Sequence, residues 1–426
     1  MVSFKDMSRE RKIELYLSIA LAIAFIGYLI AIYVLDMETE VIRDRYWKDV
    51  EPLFNGEIPI MEYPPFAFVF MVIPRLFFAD PFGYNVGFVI EMYVFVIIGL
   101  ELTRRLAVHL GFGQVRAMAL YSLLMVLLLE FLTDRYDIVP AVMSLAAFYL
   151  ILTKRPMWAF ILIALGMMTK LYPAMYFPIF MMMYIVQKDW KGAGKGFFWF
   201  TLTSLVIFVP LMLIDPDLFL GFLTYHSDRP LEVGSLAATI LYPFSMMGLF
   251  DAWIYPAIEP GSYGSDNLVG PVPDAVAGIL SPLMVICVLA IIFYYAYIRK
   301  NEERDNERAD LLVLAMLGVT LAFILVGKVF SSQYLVWAVP FYVLAIMMST
   351  NKQFSKWMMI LLVISFIHTQ VNCVYLYAIL GGGTNIDDLG MISMLIRNLF
   401  IVATLALTVK EMIRIHKEHS ATVVQQ

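Results

Sequence analysis

Charged residues are scarce in this chain of 426 residues: the 30 Lys and Arg and the 35 Asp and Glu together make up 15%. A soluble domain needs more charge on its surface, and a nucleic-acid-binding domain needs an excess of basic residues, whereas the formal net charge here is −5. Cysteine is almost absent too. Cys287 and Cys373 both lie inside apolar segments, so the sequence implies neither a disulfide framework nor a cysteine metal site.

Apolar residues are abundant instead, at 61% of the chain, and the mean hydropathy is +0.79. Runs such as 15–35 and 276–298 reach the roughly 20 residues that an α-helix needs to cross a bilayer. We therefore predict an all-α integral membrane protein, because a barrel would show short alternating strands. About twelve transmembrane helices are predicted, at 13–35, 84–103, 117–133, 138–152, 157–169, 173–187, 197–214, 276–298, 309–326, 332–348, 356–379 and 390–409.

The distribution of charge predicts the topology of these spans. With the N-terminus inside, most Lys and Arg fall in inner segments, as the positive-inside rule requires, and the C-terminus is also cytoplasmic. We expect a multi-pass protein of the cell membrane, with residues 1–426 forming a single polytopic domain. Two long outer segments result, 36–83 and 215–275, and the first is expected to carry juxtamembrane helices. The runs 66–79 and 236–250 are predicted not to cross.

The first outer segment contains three acids of interest: Asp44, Asp49 and Glu62. A carboxylate at the mouth of a membrane cavity can act as a general base toward an alcohol, because partial desolvation raises its basicity. The alternative is that each acid is a solvated loop charge.

Three basic residues occupy positions that are unusual in a membrane protein. Arg135 lies in the short turn Asp134-Arg135-Tyr136-Asp137, which forms either a structural ion pair or a ligand site. Lys170 lies between two half-length apolar runs, and Lys328 follows another span. A lysine between broken helices is a candidate functional residue, since irregular backbone at that depth must line a cavity. The alternative is a lysine that snorkels to the interface.

The second outer segment contains His226, Arg229 and Glu232. The planar guanidinium of Arg229 is suited to binding a phosphate group. We expect His226 to be a hydrogen-bonding group rather than a base.

Several motifs follow one another over residues 13–345: Gly56-x-x-Pro59 with Glu62-Tyr-Pro-Pro65, Arg135-Tyr-Asp137 with Pro140, Lys170-Leu-Tyr-Pro173, the 226–235 stretch, Lys328-Val-Phe-Ser331, and Gln333-Tyr-Leu with Trp337. In their order and spacing these motifs resemble the polytopic GT-C-fold glycosyltransferases. The resemblance is to glycosyltransferase family 87 in particular, which includes bacterial polyprenol-phosphate-mannose-dependent mannosyltransferases.

The resemblance implies a GT-C-like fold, a lipid-linked monophosphate sugar donor, and Asp44 as the catalytic base. Only Ile60 and Met61 separate Pro59 from Glu62, whereas family members often have a longer stretch with a second acid there. Asp49 and Glu62 therefore remain alternative bases. The motif residues expected to contact the substrates are Tyr63, Asp137, Tyr172, His226, Glu232 and Gln333.

The predicted function is transfer of a sugar, with mannose expected, from a polyprenyl-phosphate donor to a lipid or glycan acceptor on the extracytoplasmic face, with inversion. About two positive charges would balance the leaving phosphate in a partly dry site. Lys170, Lys328, Arg135 and Arg229 are the candidates, so no metal or other cofactor is expected. The alternative is a secondary transporter or lipid flippase, although the sequence shows no inverted repeat.

Overall fold

The computed structural model describes residues 7–34, 40–57, 59, 62–214, 216–257, 259–300, 308–374 and 388–424. Helices dominate this part of the chain, as the long apolar runs predict. The α-helices in chain order are α1 (Arg9–Val34), α2 (Glu40–Phe54), α3 (Ala67–Phe77), α4 (Pro81–Leu110), α5 (Gln114–Leu127), α6 (Leu129–Asp134), α7 (Ile138–Leu152), α8 (Pro156–Thr169), α9 (Tyr176–Ile185), α10 (Trp190–Ile214), α11 (Pro216–Asp228), α12 (Leu236–Met246), α13 (Pro271–Lys300), α14 (Ala309–Val326), α15 (Leu335–Met348), α16 (Lys352–Val374) and α17 (Asp388–Val424).

Seven helices of the described chain are long and apolar enough to cross a membrane: α1, α4, α10, α13, α14, α16 and α17. Five shorter apolar helices account for the remaining predicted spans: α5, α7, α8, α9 with the 3-10 turn before it, and α15 with its own 3-10 turn. The prediction of an all-α integral membrane protein is confirmed. Which side of the membrane each terminus faces stays a prediction.

One predicted span is interrupted in the structure. The run 117–133 is divided between α5 and α6 at Leu128, whose φ of −116° and ψ of 19° are not helical. Neither Gly nor Pro occurs in this run, so the sequence contains no signal for the break.

The segment 36–83 contains two helices, α2 and α3, as predicted for juxtamembrane elements. In α2, Tyr46, Trp47 and Val50 are buried. These positions lie on one face of a helix, which explains why α2 packs against α3 and α4 rather than forming an isolated helix.

A small antiparallel sheet lies within the 215–275 segment, although no strand was predicted there. Its strand order is β1 (Leu231–Glu232), β3 (Asn267–Val269), β2 (Trp253–Tyr255). Leu231 pairs with Leu268, and both side chains are fully buried, so the sheet closes over a small apolar core. Strands of two or three residues are too short to show a period-2 pattern in the sequence.

The chain forms two compact units. Unit 1 comprises residues 1–177, 194–223 and 335–348, and within it α7 packs against α4, α8 and α15. Unit 2 comprises residues 178–193, 224–334 and 349–426, and within it α14 packs against α13 and α17. The assignment of residues 1–426 to a single domain stays a prediction.

Candidate functional site

The predicted bases lie on or just after α2. Asp44 belongs to this helix, but its side chain lies outside the described residues. Asp49 is half-buried in α2, and Glu62 is half-buried immediately before the Tyr63-Pro64-Pro65 turn. The structure therefore places the backbone of Asp44 on a docked helix, and the choice among the three acids stays open.

Three tyrosines connect α2 to the remainder of unit 1. The ring of Tyr46 lies 6.0 Å from that of Tyr63 and 5.6 Å from that of Tyr136, and Tyr63 lies 5.4 Å from Tyr136. Ring separations of this size and the tilted or edge-on angles favour aromatic pairs. Tyr46 is only two residues from Asp44, so these contacts fix the position of the helix turn that carries the predicted base.

Lys170 forms an ion pair with Asp137. The distance from Lys170 Nζ to Asp137 Oδ1 is 2.7 Å, the aspartate side chain is inaccessible to solvent, and the lysine side chain is 14% exposed. Trp337 Nε1 donates a hydrogen bond to the same Oδ1 at 2.5 Å. Lys170 Nζ also lies 5.3 Å from the ring centroids of Tyr136 and Trp337, a cation–π geometry. Lys170 was predicted as a phosphate ligand and Asp137 as a substrate contact, but an ion pair between them was not predicted.

Asp137 retains one unused acceptor atom. Among the described residues, no group donates a hydrogen bond to its buried Oδ2. Tyr172 is buried beside this pair, with its ring stacked on Trp337 at 4.1 Å and 6°. Arg135 is paired with the carboxylate of its neighbour Asp134.

Arg229 is the most buried of the predicted phosphate ligands in unit 2. It follows α11, is only 9% exposed, and donates from Nη2 to Ser265 Oγ at 2.9 Å. Its guanidinium carbon lies 5.9 Å from the ring centroid of Tyr225. Its Nε is shielded from solvent and has no hydrogen-bond partner among the described residues.

Lys328 contacts the end of α11, two residues before Arg229 in the chain. Its Nζ donates to the backbone oxygen of Ser227 in the last turn of α11, at 2.6 Å, where the negative end of the helix dipole favours a cation. Burial lowers the pKa of Lys328 below its ordinary value of 10.5; Asp228 opposes this effect, and the positive charge of Arg229 adds to it. Lys328 thus lies at a partly buried site where Asp228 attracts its charge and Arg229 repels it.

Glu232 follows Arg229 in the chain and hydrogen-bonds to the segment that contains Lys328. Its backbone N–H donates to the Lys328 carbonyl at 3.0 Å, and its Oε1 accepts from Ser331 Oγ at 3.1 Å. The residue as a whole is half-buried, but Oε2 is shielded from solvent and has no hydrogen-bond partner in the described chain. Burial raises the pKa of Glu232 above 4.5, and the charge of Arg229 opposes that rise.

Two further residues, His226 and Gln333, were predicted to contact the substrates. His226 belongs to α11, and its side chain lies outside the described residues. Gln333 is half-buried in the 3-10 turn Ser332–Tyr334.

Arg397 of α17 has no predicted role, yet it is 1% exposed and hydrogen-bonds to the loops of unit 2. The sequence feature that could have identified it is an isolated arginine in an apolar span, which is uncommon without a partner inside the protein. In the described ranges, no three His, Cys, Asp or Glu side chains are grouped as metal ligands would be. The expectation of a metal-free site stays a prediction.

Comparison with known proteins gives one family match. The model of glycosyltransferase family 87 matches residues 62–326. Among solved structures, the chain is similar to the crystal structure of ArnT from Cupriavidus metallidurans bound to undecaprenyl phosphate, with 13% identity and a TM-score of 0.46 over 95% of this chain and 78% of that chain. No curated protein matches the sequence significantly.

Proposed function

The chain belongs to glycosyltransferase family 87, and on that premise we propose that this membrane glycosyltransferase transfers a sugar from a polyprenyl-phosphate donor to a lipid or glycan acceptor. The family favours transfer over the transporter or flippase considered from the sequence. Mannose is the sugar we propose, on the resemblance to the polyprenol-phosphate-mannose-dependent members. The reaction is assigned to the extracytoplasmic face, where a lipid-linked donor is available and nucleotide sugars are not.

The observation that carries the proposal is the pair of cations in unit 2. Arg229 and Lys328 interact electrostatically in a site where burial disfavours the charged lysine, and the carboxylate of Asp228 offsets the repulsion between them. A bound phosphate would stabilise the pair further, because both cations would share one anionic partner. Arginine offers a planar fork of donors and lysine a compact charge, and the two together suit one phosphate group.

The chemistry requires a base and a stabilised leaving group. The base takes the proton of the acceptor hydroxyl while that oxygen attacks the anomeric carbon, and the bond from the anomeric carbon to the phosphate oxygen breaks. The phosphate changes from a singly charged diester to a doubly charged monoester, so the cations bind it more strongly as the reaction proceeds. Attack opposite the leaving group inverts the anomeric configuration. Asp44 is our proposed base, with Asp49 and Glu62 as alternatives.

The test uses the full chain in lipid nanodiscs with radiolabelled polyprenyl-phosphate mannose and an extract of membrane lipids and glycans as acceptor. We expect labelled product from the wild type. Lys328→Gln and Arg229→Gln should each raise the donor KM about 10-fold to 100-fold, the loss expected for one hydrogen bond to a charged group. Lys356→Gln, which removes an exposed lysine, is the matched control and should leave the donor KM unchanged.

The base is identified in the same assay. Asp44→Asn should lower kcat at least about 100-fold with a wild-type donor KM, the usual contribution of a general base. Asp49→Asn and Glu62→Gln should leave kcat within a few-fold. Transfer from a nucleotide sugar but not from the lipid donor would overturn the proposed function, and full activity of Asp44→Asn would overturn the base assignment alone.

A further inference from the structure

Arg397 makes a set of contacts that the proposed reaction does not yet explain. This buried residue of α17 donates from Nη2 to the backbone oxygen of Gly234 at 2.8 Å and from Nη1 to Ser332 Oγ at 3.0 Å. Its guanidinium carbon lies 4.2 Å from the ring centroid of Phe330. One side chain therefore reaches two loop segments that are about a hundred residues apart in sequence.

These two segments carry the proposed phosphate ligands. The first, residues 229–235, begins with Arg229, and the second, residues 327–332, contains Lys328. They are joined directly where Glu232 N–H donates to the Lys328 carbonyl at 3.0 Å. They also pack closely at Gly234, where a Cβ atom would lie 2.6 Å from the Phe330 oxygen.

Asn398, the next residue of α17, strengthens the same connection. Its Nδ2 donates to the Gly234 oxygen and to Thr239 Oγ1, both at 3.1 Å, and its Oδ1 accepts from Arg397 Nε at 3.1 Å. Asn398 is fully buried. The amide thereby fixes the guanidinium plane, so the fork of Arg397 points at both segments at once.

We infer that Arg397 is a positioning residue that holds the segments 229–235 and 327–332 in register, so that Arg229 and Lys328 present their charges together. The inference rests on the proposed function, in which those two cations bind the donor phosphate. Methionine could fill much of the same space, but it has no N–H group to donate to Gly234 and Ser332. Arg397 lies beyond residues 62–326, where the family model matches, so the match assigns it no role.

The experiment compares Arg397→Met and Arg397→Lys with Arg299→Met, a control that removes another buried arginine of the same unit, which is 2% exposed. Hydrogen exchange measured by mass spectrometry on the full chain in nanodiscs reports the two segments directly. We expect faster exchange in both segments for Arg397→Met, a smaller increase for Arg397→Lys, and wild-type exchange there for Arg299→Met.

Kinetics separate positioning from general stability. We expect Arg397→Met to raise the donor KM about tenfold, with kcat within about twofold of the wild type and the acceptor KM unchanged. Arg397→Lys should recover part of the loss. Unchanged exchange in either segment, or an unchanged donor KM, would overturn the inference.

Ser332→Ala covers the case in which Arg397→Met does not fold, because it removes only the acceptor on one segment. Its exchange should rise in 327–332, and its donor KM should rise several-fold; wild-type values of both would overturn the inference. If the exchange results are as expected but the wild type does not use a polyprenyl-phosphate donor, the proposed function fails and the connection between the segments stands.

Discussion

Replacing Asp137 with asparagine should strongly destabilise the protein, although the two side chains have nearly the same shape. The amide oxygen of the new side chain would still accept the hydrogen bond from Trp337 Nε1, so the change removes a charge and little else. Lys170, whose Nζ lies 2.7 Å from Asp137 Oδ1, would then keep its own charge in a site that is only 14% exposed.

The expected magnitude follows from the distance and the burial. Two unit charges 2.7 Å apart attract by about 6 kcal/mol at an effective dielectric constant of about 20. Desolvation of both groups offsets much of that attraction, and removing one partner of a buried pair typically costs about 3–5 kcal/mol. The partial exposure of Lys170 lets its ammonium move toward water. We therefore expect Asp137→Asn to lower the free energy of unfolding by about 3 kcal/mol, the lower end of that range.

A double-mutant cycle tests this reasoning. The free energy of unfolding in mixed micelles would be measured for Asp137→Asn, Lys170→Met and the double variant. Since the double variant leaves no unpaired charge, its loss should be smaller than the sum of the single losses by about 2–3 kcal/mol. Losses that add within about 0.5 kcal/mol would show that the pair is not coupled, and the argument would be wrong.

The same cycle separates the two roles considered for Lys170. If the lysine acts only through Asp137, the double variant should be folded and should have a wild-type donor KM. If it binds the donor phosphate, as the sequence predicted, the donor KM should stay raised even where stability is restored.

Two further predictions concern other parts of the chain. Lys328 must be protonated to bind a phosphate, and burial lowers its pKa, so the donor KM of the wild type should begin to rise at a pH below 10.5. Lys328→Arg should retain its donor affinity at that pH. Identical KM–pH profiles for the wild type and Lys328→Arg would contradict this prediction. Gly99→Ala should cost about 1–3 kcal/mol of unfolding free energy, because the added Cβ would overlap the fully buried Tyr121 hydroxyl. Gly27→Ala, where nothing lies within 4 Å of the added Cβ, should not destabilise the protein in the same unfolding assay.

The sequence predicted the helices well because a long apolar run in a bilayer must satisfy its backbone hydrogen bonds internally, which an α-helix does. The predicted bounds of the span 138–152 agree with α7, and those of 309–326 agree with α14. The break at Leu128 was missed because no residue type signals it. The three short strands were missed because their pairing depends on contacts between residues far apart in sequence.

For the candidate site, the sequence could identify residue types but not partners. A lysine at a helix end in an apolar context marks an ionic residue that needs compensation. What compensates it depends on tertiary structure: Asp137 is 33 residues from Lys170, and the acceptors of Arg397 are 65 and 163 residues away. Arg397 stands out in the sequence as a lone arginine within an apolar span, but its role depends on contacts with those distant segments.

Lys170 and Lys328 show why similar sequence positions can differ in chemistry. Each follows the C-terminal end of an apolar helix, α8 or α14, and each precedes a 3-10 turn. Lys170 is matched by the buried carboxylate of Asp137, so the pair as a whole carries no net charge. Lys328 instead donates to the neutral carbonyl of Ser227, and its charge interacts with both the carboxylate of Asp228 and the guanidinium of Arg229. Among the described residues its ammonium is therefore not held in a close ion pair, which makes Lys328 the stronger candidate ligand of the two.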